Sequence, residues 1–270
     1  MVDTAANFGG SIPQYYDSIM GPAQFEPYAK ELAGRLPADP GGDVLEVACG
    51  TGRVTRHLRK ILSQNRTLAA SDISAGMLAY AKKQLGSSPG VEWHEADACK
   101  LPFADACFAA VVCAFGIMFV PDKAAALREA RRVLRKGGTL LFSVWDGLEN
   151  NPHGKSTSEV MESLLPGDPA VKGGSTPYLF NDRKVIGGLL KDAGFENVRF
   201  DEVRIPCECP SARDFANGQI RGTPRGALLA EKGVDVDALV DKVAEGLAKV
   251  GGAAPFRYTP QALVVEARAS

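Results

Sequence analysis

The chain has 270 residues, enough for one large domain or a domain with an elaborated subdomain. Hydrophobic residues make up 45%, charged residues 23%, and the formal net charge is −1. That balance is ordinary for a soluble globular protein and gives no electrostatic pull towards nucleic acid or an anionic membrane.

The N-terminus has no basic region followed by an apolar core, so it does not read as a signal peptide. Residues 1–14 are polar and Gly-rich and are expected to be mobile. Phe25, Tyr28, Ala29, Leu32, Ala33 and Leu36 then recur at helical spacing, predicting an amphipathic helix that stops at the Pro- and Gly-rich stretch 37–42. A strand is expected at 43–48, then a glycine turn and a helix marked by Val54, Leu58, Ile61 and Leu62. The alternation continues with a strand at 67–72, a helix capped by Ser74 and a strand at 91–97. The longest apolar run, 106–120, is shorter than the roughly 20 residues of a membrane span, and it reads as a buried central strand with the loop after it. Leu127, Ala130 and Leu134 mark a helix that Lys136-Gly137-Gly138 should close, before a strand at 139–145. A helix over 181–193, capped by Asn181 and stopped by Gly194, precedes a strand near 197–205, and a last strand runs over 261–268. The intervening 206–258 is too long for a bare loop and should form a helical subdomain, with Val240, Val243, Leu247 and Val250 on one apolar face. Strands alternating with helices imply a mostly parallel sheet covered on both faces.

Six cysteines, Cys49, Cys99, Cys107, Cys113, Cys207 and Cys209, show no CxxC spacing and accompany no export signal. They are expected to be reduced thiols in a cytoplasmic protein, with no structural or catalytic metal.

The glycine turn, GTGRVT at 50–55, departs from the dinucleotide fingerprint because Thr55 stands where a third glycine would be, and it lacks the GK[ST] ending of a P-loop. Glu46 lies in the preceding strand, four residues before Gly50. A carboxylate there would repel a pyrophosphate and suit an amino acid's ammonium group. Asp72 closes the second strand, twenty residues after Gly52, where a carboxylate accepts ribose hydroxyls. Asp97 and Ala98 follow the third strand and suit an adenine amino group, and Ile73 and Met77 could flank its ring, although Met77 could equally be plain core. Sites for ammonium, ribose and adenine, with none for phosphate, describe S-adenosylmethionine rather than NAD.

The stretches VLEVACGTGRVT, SDISAGMLAYAKK, EADACKLPFADACFAAVVC and EARRVLRKGGTLLFSVW cover 43–146 in order. On these motifs the chain resembles the class I S-adenosylmethionine-dependent methyltransferases, in the branch that modifies small molecules. The resemblance implies a Rossmann-like seven-stranded α/β sheet, mostly parallel with the last strand antiparallel, and helices on both faces. It divides the chain into an N-terminal arm and lid helix (1–40), a cofactor-binding core (41–146) and a remainder (147–270) that carries the 206–258 insert before the last strand. The cofactor residues it implies are Glu46, Ala48, Gly50, Gly52, Asp72, Ile73, Met77, Asp97 and Ala98, with Cys113 as a backbone contact; separately, residues 12–36 are expected to cover the cofactor as a lid hinged at Gly9-Gly10, with Tyr15 or Tyr16 near the methionine end. Ala48 replaces the family's commonest first glycine, a modest change expected to leave the turn intact.

The reaction would be an in-line displacement at a sulfonium methyl, on an O, N or C nucleophile. Holding nucleophile, carbon and sulfur in line supplies much of its rate. A base is needed only for a protonated nucleophile. His153, after the fifth strand, is either that base or a solvated loop histidine; Asp146 is a weaker candidate, and His57 should face solvent. The fourth strand ends in CAFG, with neither of the signatures of DNA-methylating enzymes. An apolar or aromatic small molecule, walled by the N-terminal arm and the insert, is the expected acceptor. A NAD-dependent oxidoreductase and a non-catalytic S-adenosylmethionine-binding protein are the competing readings.

Overall fold

The computed structural model describes residues 12–270. Most of the Gly-rich stretch expected to be mobile, residues 1–11 with Gly9 and Gly10, lies outside the described residues. Of the stretch expected to be mobile, residues 12–14 are helical.

The N-terminal segment is a continuous helical cover in three parts: α1 (Ile12–Tyr15), a π-helix (Tyr16–Phe25) and α2 (Glu26–Gly34). Pro22 sits inside the π-helix, where its missing amide proton disturbs the regular α ladder. The core then alternates β1 (Val44–Val47), α3 (Arg53–Ile61), β2 (Leu68–Asp72), α4 (Ala75–Leu85), β3 (Val91–Glu95), β4 (Phe108–Ala114), α5 (Lys123–Val133) and β5 (Leu134–Trp145). Beyond it come α6 (Pro152–Leu164), α7 (Pro169–Lys172), a 3-10 helix (Gly173–Tyr178), α8 (Arg183–Asp192) and β6 (Phe195–Arg204). The insert carries β7 (Cys207–Cys209), α9 (Ala212–Arg221), α10 (Pro224–Glu231), α11 (Val236–Gly251) and β8 (Phe256–Tyr258), and β9 (Gln261–Ala269) ends the chain.

The seven-stranded sheet has the order β3-β2-β1-β4-β5-β9-β6. Its first five strands are parallel, and β9 runs antiparallel to both β5 and β6. This is the Rossmann-like arrangement that the motifs imply. Side chains alternate across the sheet with period two. Val44, Ala110, Val112 and Leu141 meet Leu32 of the cover and Leu58 of α3 on one face. Leu45, Val111, Leu140 and Phe142 meet Leu127 of α5 and Ile186 of α8 on the other.

Three boundaries differ from expectation. Helix α5 stops at Val133, because buried Leu134 pairs with Phe108 across the sheet and starts β5. Gly137, at φ +74°, therefore turns the chain inside an irregular start of β5. Helix α8 is capped by Asp182, whose carboxylate accepts the Lys184 amide at 2.7 Å, and not by Asn181. The insert is helical as expected but also contains the β7–β8 ribbon, too short to show as periodicity. Among the described residues no helix is long and apolar enough to cross a membrane.

Hydrogen bonds hold the cover to the insert side of the sheet. Tyr28, fully buried on α2, donates to the Pro260 carbonyl at 2.6 Å and accepts the Ile205 amide at 3.2 Å. Tyr258 donates to the Ala23 carbonyl at 3.2 Å. Tyr28→Phe would strip two backbone groups of their partner, and urea unfolding should show a loss of about 1–3 kcal/mol.

Candidate functional site

Strand β1 lies between β2 and β4, so the crevice at its carboxyl end is the point where the strand order reverses, the usual ligand site of an open α/β sheet. The turn that follows is built from left-handed residues: Ala48 at φ +55°, Gly50 at +55° and Gly52 at +80°. At Gly52 a side chain is excluded on space as well, since a Cβ would lie 2.9 Å from Leu85 Cδ1 and 3.2 Å from Ala81 Cβ. The turn keeps its form with alanine at position 48, but this alanine holds a left-handed backbone that costs roughly 1–2 kcal/mol for an L-residue. Its methyl group also has a consequence across the crevice. A Cβ on Gly116, after β4, would overlap Ala48 Cβ.

Asp72, at the end of β2, braces the turn. Its Oδ2 accepts the Gly50 amide at 2.8 Å and its Oδ1 the Ser74 amide at 2.9 Å. Burial raises its carboxyl above the usual range, and those amides oppose the rise.

Glu46 is 1% exposed, and its Oε2 has no hydrogen-bond partner. Burial pushes its carboxyl up to about 8, with the charge of Asp72 adding to the effect and Thr55 opposing it. The neighbouring guanidinium does not compensate it. Arg53, first residue of α3, has its Nε 2.9 Å from Asp17 Oδ1, donates Nη2 to the Asp17 carbonyl at 2.7 Å and pairs Nη1 with Glu26 Oε2 at 2.8 Å. His57 completes this network at 2.7 Å from Glu26 Oε1, so it is half-buried against the cover and does not face solvent. Asp17 itself, 8% exposed, also accepts hydrogen bonds from Thr51 at 2.9 Å and Tyr80 at 3.3 Å. The cover is thus latched to the glycine turn through polar groups.

Under the cover lies a cavity of about 60 Å3, lined by Glu46, Gly50, Thr51, Arg53, Tyr16, Phe25 and Phe115 among others. Tyr16 stacks on Phe25 at 4.9 Å between centroids, and Phe115 stacks on Trp145 at 4.1 Å. Phe25 meets Phe115 edge-on at 5.9 Å, so aromatic rings form the roof and far wall. Tyr15 is 38% exposed and does not line the cavity.

Of the residues expected from the sequence, Glu46, Ala48, Gly50 and Tyr16 meet at this cavity, and Gly52 and Asp72 shape its floor. Met77 is buried, with its amide capped by Ser74 at 3.3 Å; Ile73 lies beside it, half-buried. Asp97 is exposed, beyond the end of β3, where its carboxylate accepts the Cys99 amide at 2.8 Å; Ala98 is half-buried next to it. None of these four lines the cavity. Cys113 is buried under the Gly116 turn with its thiol pushed up to about 12, which leaves no thiolate for chemistry. Asp146 is a structural acid: Gly147, Asn150 and Gln261 donate to it at 2.8, 3.0 and 2.6 Å. His153 is neither a solvated loop histidine nor at the cavity. It lies in the first turn of α6, 0% exposed, and burial pushes its imidazole down to about 3. Among the described residues no cluster could hold a metal ion. Sequence reasoning missed Asp17, Arg53, Thr51 and Phe115. Arg53 and Phe115 sit in the quoted GTGRVT and CAFG, whereas nothing local marks Asp17.

Residues 45–142 match the family model described as a methyltransferase domain. The ubiquinone/menaquinone biosynthesis C-methyltransferase UbiE of Klebsiella pneumoniae is 34% identical over 172 residues, 59% of this chain and 68% of that protein. The enzyme of the same name from Caulobacter vibrioides is 33% identical over 186 residues, 63% of this chain and 73% of that protein. Among solved structures, Haemonchus contortus phosphoethanolamine N-methyltransferase 2 with S-adenosyl-L-methionine superposes with a TM-score of 0.61 at 17% identity, covering 95% of this chain and 56% of that one.

The raised carboxyl of Glu46 has a signed consequence. Between the ordinary glutamate value and about 8, the folded chain holds a proton that the unfolded chain releases, so stability falls as pH rises through that window. Glu46→Gln should therefore stabilise the free protein by a few kcal/mol (about 1.4 per unit of displacement) at pH 8.5, and by much less at pH 5, in paired melting curves.

Proposed function

Because the chain belongs to the class I S-adenosylmethionine-dependent methyltransferases, with methyl transfer from S-adenosylmethionine to a small molecule as its reaction, we propose that the cavity at the glycine turn receives the methionine end of that cofactor. The observation that carries this reading is the orphaned, buried carboxylate oxygen of Glu46. An ammonium group would give it the countercharge and hydrogen bond that no residue supplies. Asp72, held by two amides, retains lone pairs for ribose hydroxyls, while Ile73, Met77, Asp97 and Ala98 form the adenine side. The cofactor supplies an electrophilic methyl on a sulfonium with a neutral leaving group.

The protein's own part is binding, alignment and exclusion of water. Tyr16, Phe25 and Phe115 line the cavity with aromatic rings, a surface that tolerates a cation such as a sulfonium. They also suit an apolar or aromatic acceptor. Carbon methylation is the acceptor chemistry in the names of the two UbiE relatives, which are the more similar in sequence. At about 60 Å3 the cavity is far smaller than the roughly 300–1,000 Å3 of an ordinary ligand site. The cover must therefore shift to admit the cofactor, and the Arg53–Asp17–Glu26 network is what it must loosen. A nicotinamide dinucleotide is disfavoured, because Glu46 stands where a pyrophosphate would lie.

Calorimetry tests the assignment. S-adenosylmethionine should bind in the micromolar range and NADH should not, while Asp72→Ala should lose roughly 1.5–3 kcal/mol, as for hydrogen bonds to a charged group. Binding of NADH without S-adenosylmethionine would overturn it. Since an ammonium group against Glu46 draws its proton off, affinity should tighten as pH rises towards about 8, with proton release measurable in buffers of different ionisation enthalpy. Deleting residues 1–20 removes Tyr16 and Asp17. A lid predicts a folded product whose cofactor affinity falls tenfold or more; full affinity and turnover would exclude the lid.

A further inference from the structure

The π-helix of the cover is held along two unlike seams. Towards the glycine turn its contacts are polar. The Asp17 carboxylate accepts from Thr51 at 2.9 Å and from Tyr80 at 3.3 Å and pairs with Arg53 Nε at 2.9 Å, and the Asp17 carbonyl accepts Arg53 Nη2 at 2.7 Å. Towards the insert its contacts are close and apolar. Ile19, Met20 and Ala23 pack in one cluster with Phe215, Ala216 and Ile220 of α9. A Cβ on Gly218 would lie 2.8 Å from Ile19 Cγ2 and 3.0 Å from Met20 Cγ, and one on Gly222, just past α9, would lie 3.1 Å from the Tyr16 amide nitrogen. Tyr258 of β8 adds its hydrogen bond to the Ala23 carbonyl.

Helix α2, by contrast, is fixed to the core. Ala29, Leu32 and Ala33 are buried among Val54 and Leu58 of α3 and Val44 of β1. The helical ladder changes at its start, where the Glu26 amide bonds five residues back to the Gly21 carbonyl and Pro22 offers no amide proton. π-Helical turns of this kind recur at functional sites. Tyr28, two residues further on, bonds Pro260 and Ile205, the two points where the insert leaves the sheet. The end of the π-helix and the base of the insert therefore meet at one place.

The cavity lies on the turn side of the π-helix, with Tyr16 and Phe25 on the cover and Gly50, Thr51 and Arg53 on the turn. Parting the π-helix from the turn opens that cavity and lets the polar groups exchange partners for water, at small net cost. Parting it from α9 leaves the cavity shut and exposes apolar surface.

We propose that the π-helix and α9 swing together as one flap, pivoting where the π-helix meets α2, which admits the cofactor by parting from the glycine turn while staying seated on the insert. The proposal rests on the cofactor reading of the cavity. Its consequence is a coupling between the two sides of the flap: whatever holds α9 still also holds the cofactor in.

Two cross-links test this in the full chain. In Asp17→Cys/Thr51→Cys a disulfide closes the turn seam. In Ile19→Cys/Gly218→Cys it closes the insert seam, where the two Cβ positions lie 3.1 Å apart, a few tenths short of a disulfide's usual span. Association and release of S-adenosylhomocysteine are followed by stopped-flow tryptophan fluorescence, Trp145 being stacked on the cavity-lining Phe115, with each protein oxidised and then reduced. Oxidation should slow association tenfold or more in the first protein, reversibly, and change it less than twofold in the second. Slowing in the second as large as in the first, or none in the first, would overturn the flap. Where a cross-link does not form or a double variant does not fold, single changes decide: Asp17→Asn should speed release fivefold or more and Tyr258→Phe less than twofold, and equal effects of the two would overturn it. Failure of S-adenosylhomocysteine to bind the parent and the reduced proteins alike would overturn the cofactor reading instead.

Discussion

The site depends on a carboxyl group buried without a cation, which burial keeps protonated up to about pH 8. Glu46 stands in the central strand of a parallel sheet, at the point where the strand order reverses, with an oxygen that nothing in the protein satisfies. Arg53, which lines the same cavity, is held by Asp17 and Glu26. The fold thus maintains an unfavourable group in the position that we propose a ligand's ammonium completes. Such a group lowers the stability of the empty protein and raises the differential affinity for the correct ligand, the usual exchange between stability and function.

Arg53 shows the same economy of position. It is the residue after the left-handed Gly52, so the turn that exposes backbone to the cofactor also aims this side chain at the cover. A Cβ on Gly21 would overlap the guanidinium, so the π-helix passes close above it. Turn and cover are consequently joined by side-chain contacts across the small cavity between them. Strain at Ala48 and the bare Gly116 opposite belong to it as well, because a methyl at one position is compatible only with a hydrogen at the other.

His153 illustrates how burial changes a residue's chemistry. Read as a base, it requires access to a proton and an accessible charged state. Enclosed by Tyr178, Phe215 and Tyr258, it remains neutral over the physiological range and acts as a hydrogen-bonding group. The interior around it is walled by α6, the insert and the Gly173–Tyr178 turn, elements far apart in the chain, which explains why its polar groups come together only in the folded state.

By itself the sequence determined the sheet, the order of its elements and the class of cofactor. These follow from short-range pattern: apolar strand runs alternating with helical stripes, the glycines at 50 and 52, and acids at 46 and 72 at the ends of consecutive strands. Each signal is carried by residues within one element and its turn, so no knowledge of partners across the chain was needed. The tertiary structure alone decided which of those residues are paired and which are left wanting. That Arg53 serves Asp17 and Glu26, that Leu134 joins the sheet and ends α5 early, and that His153 meets Tyr178 depend on contacts between distant segments. Hydrogen bonding and desolvation act over a few ångströms in space, and local spacing does not encode which distant group will arrive there.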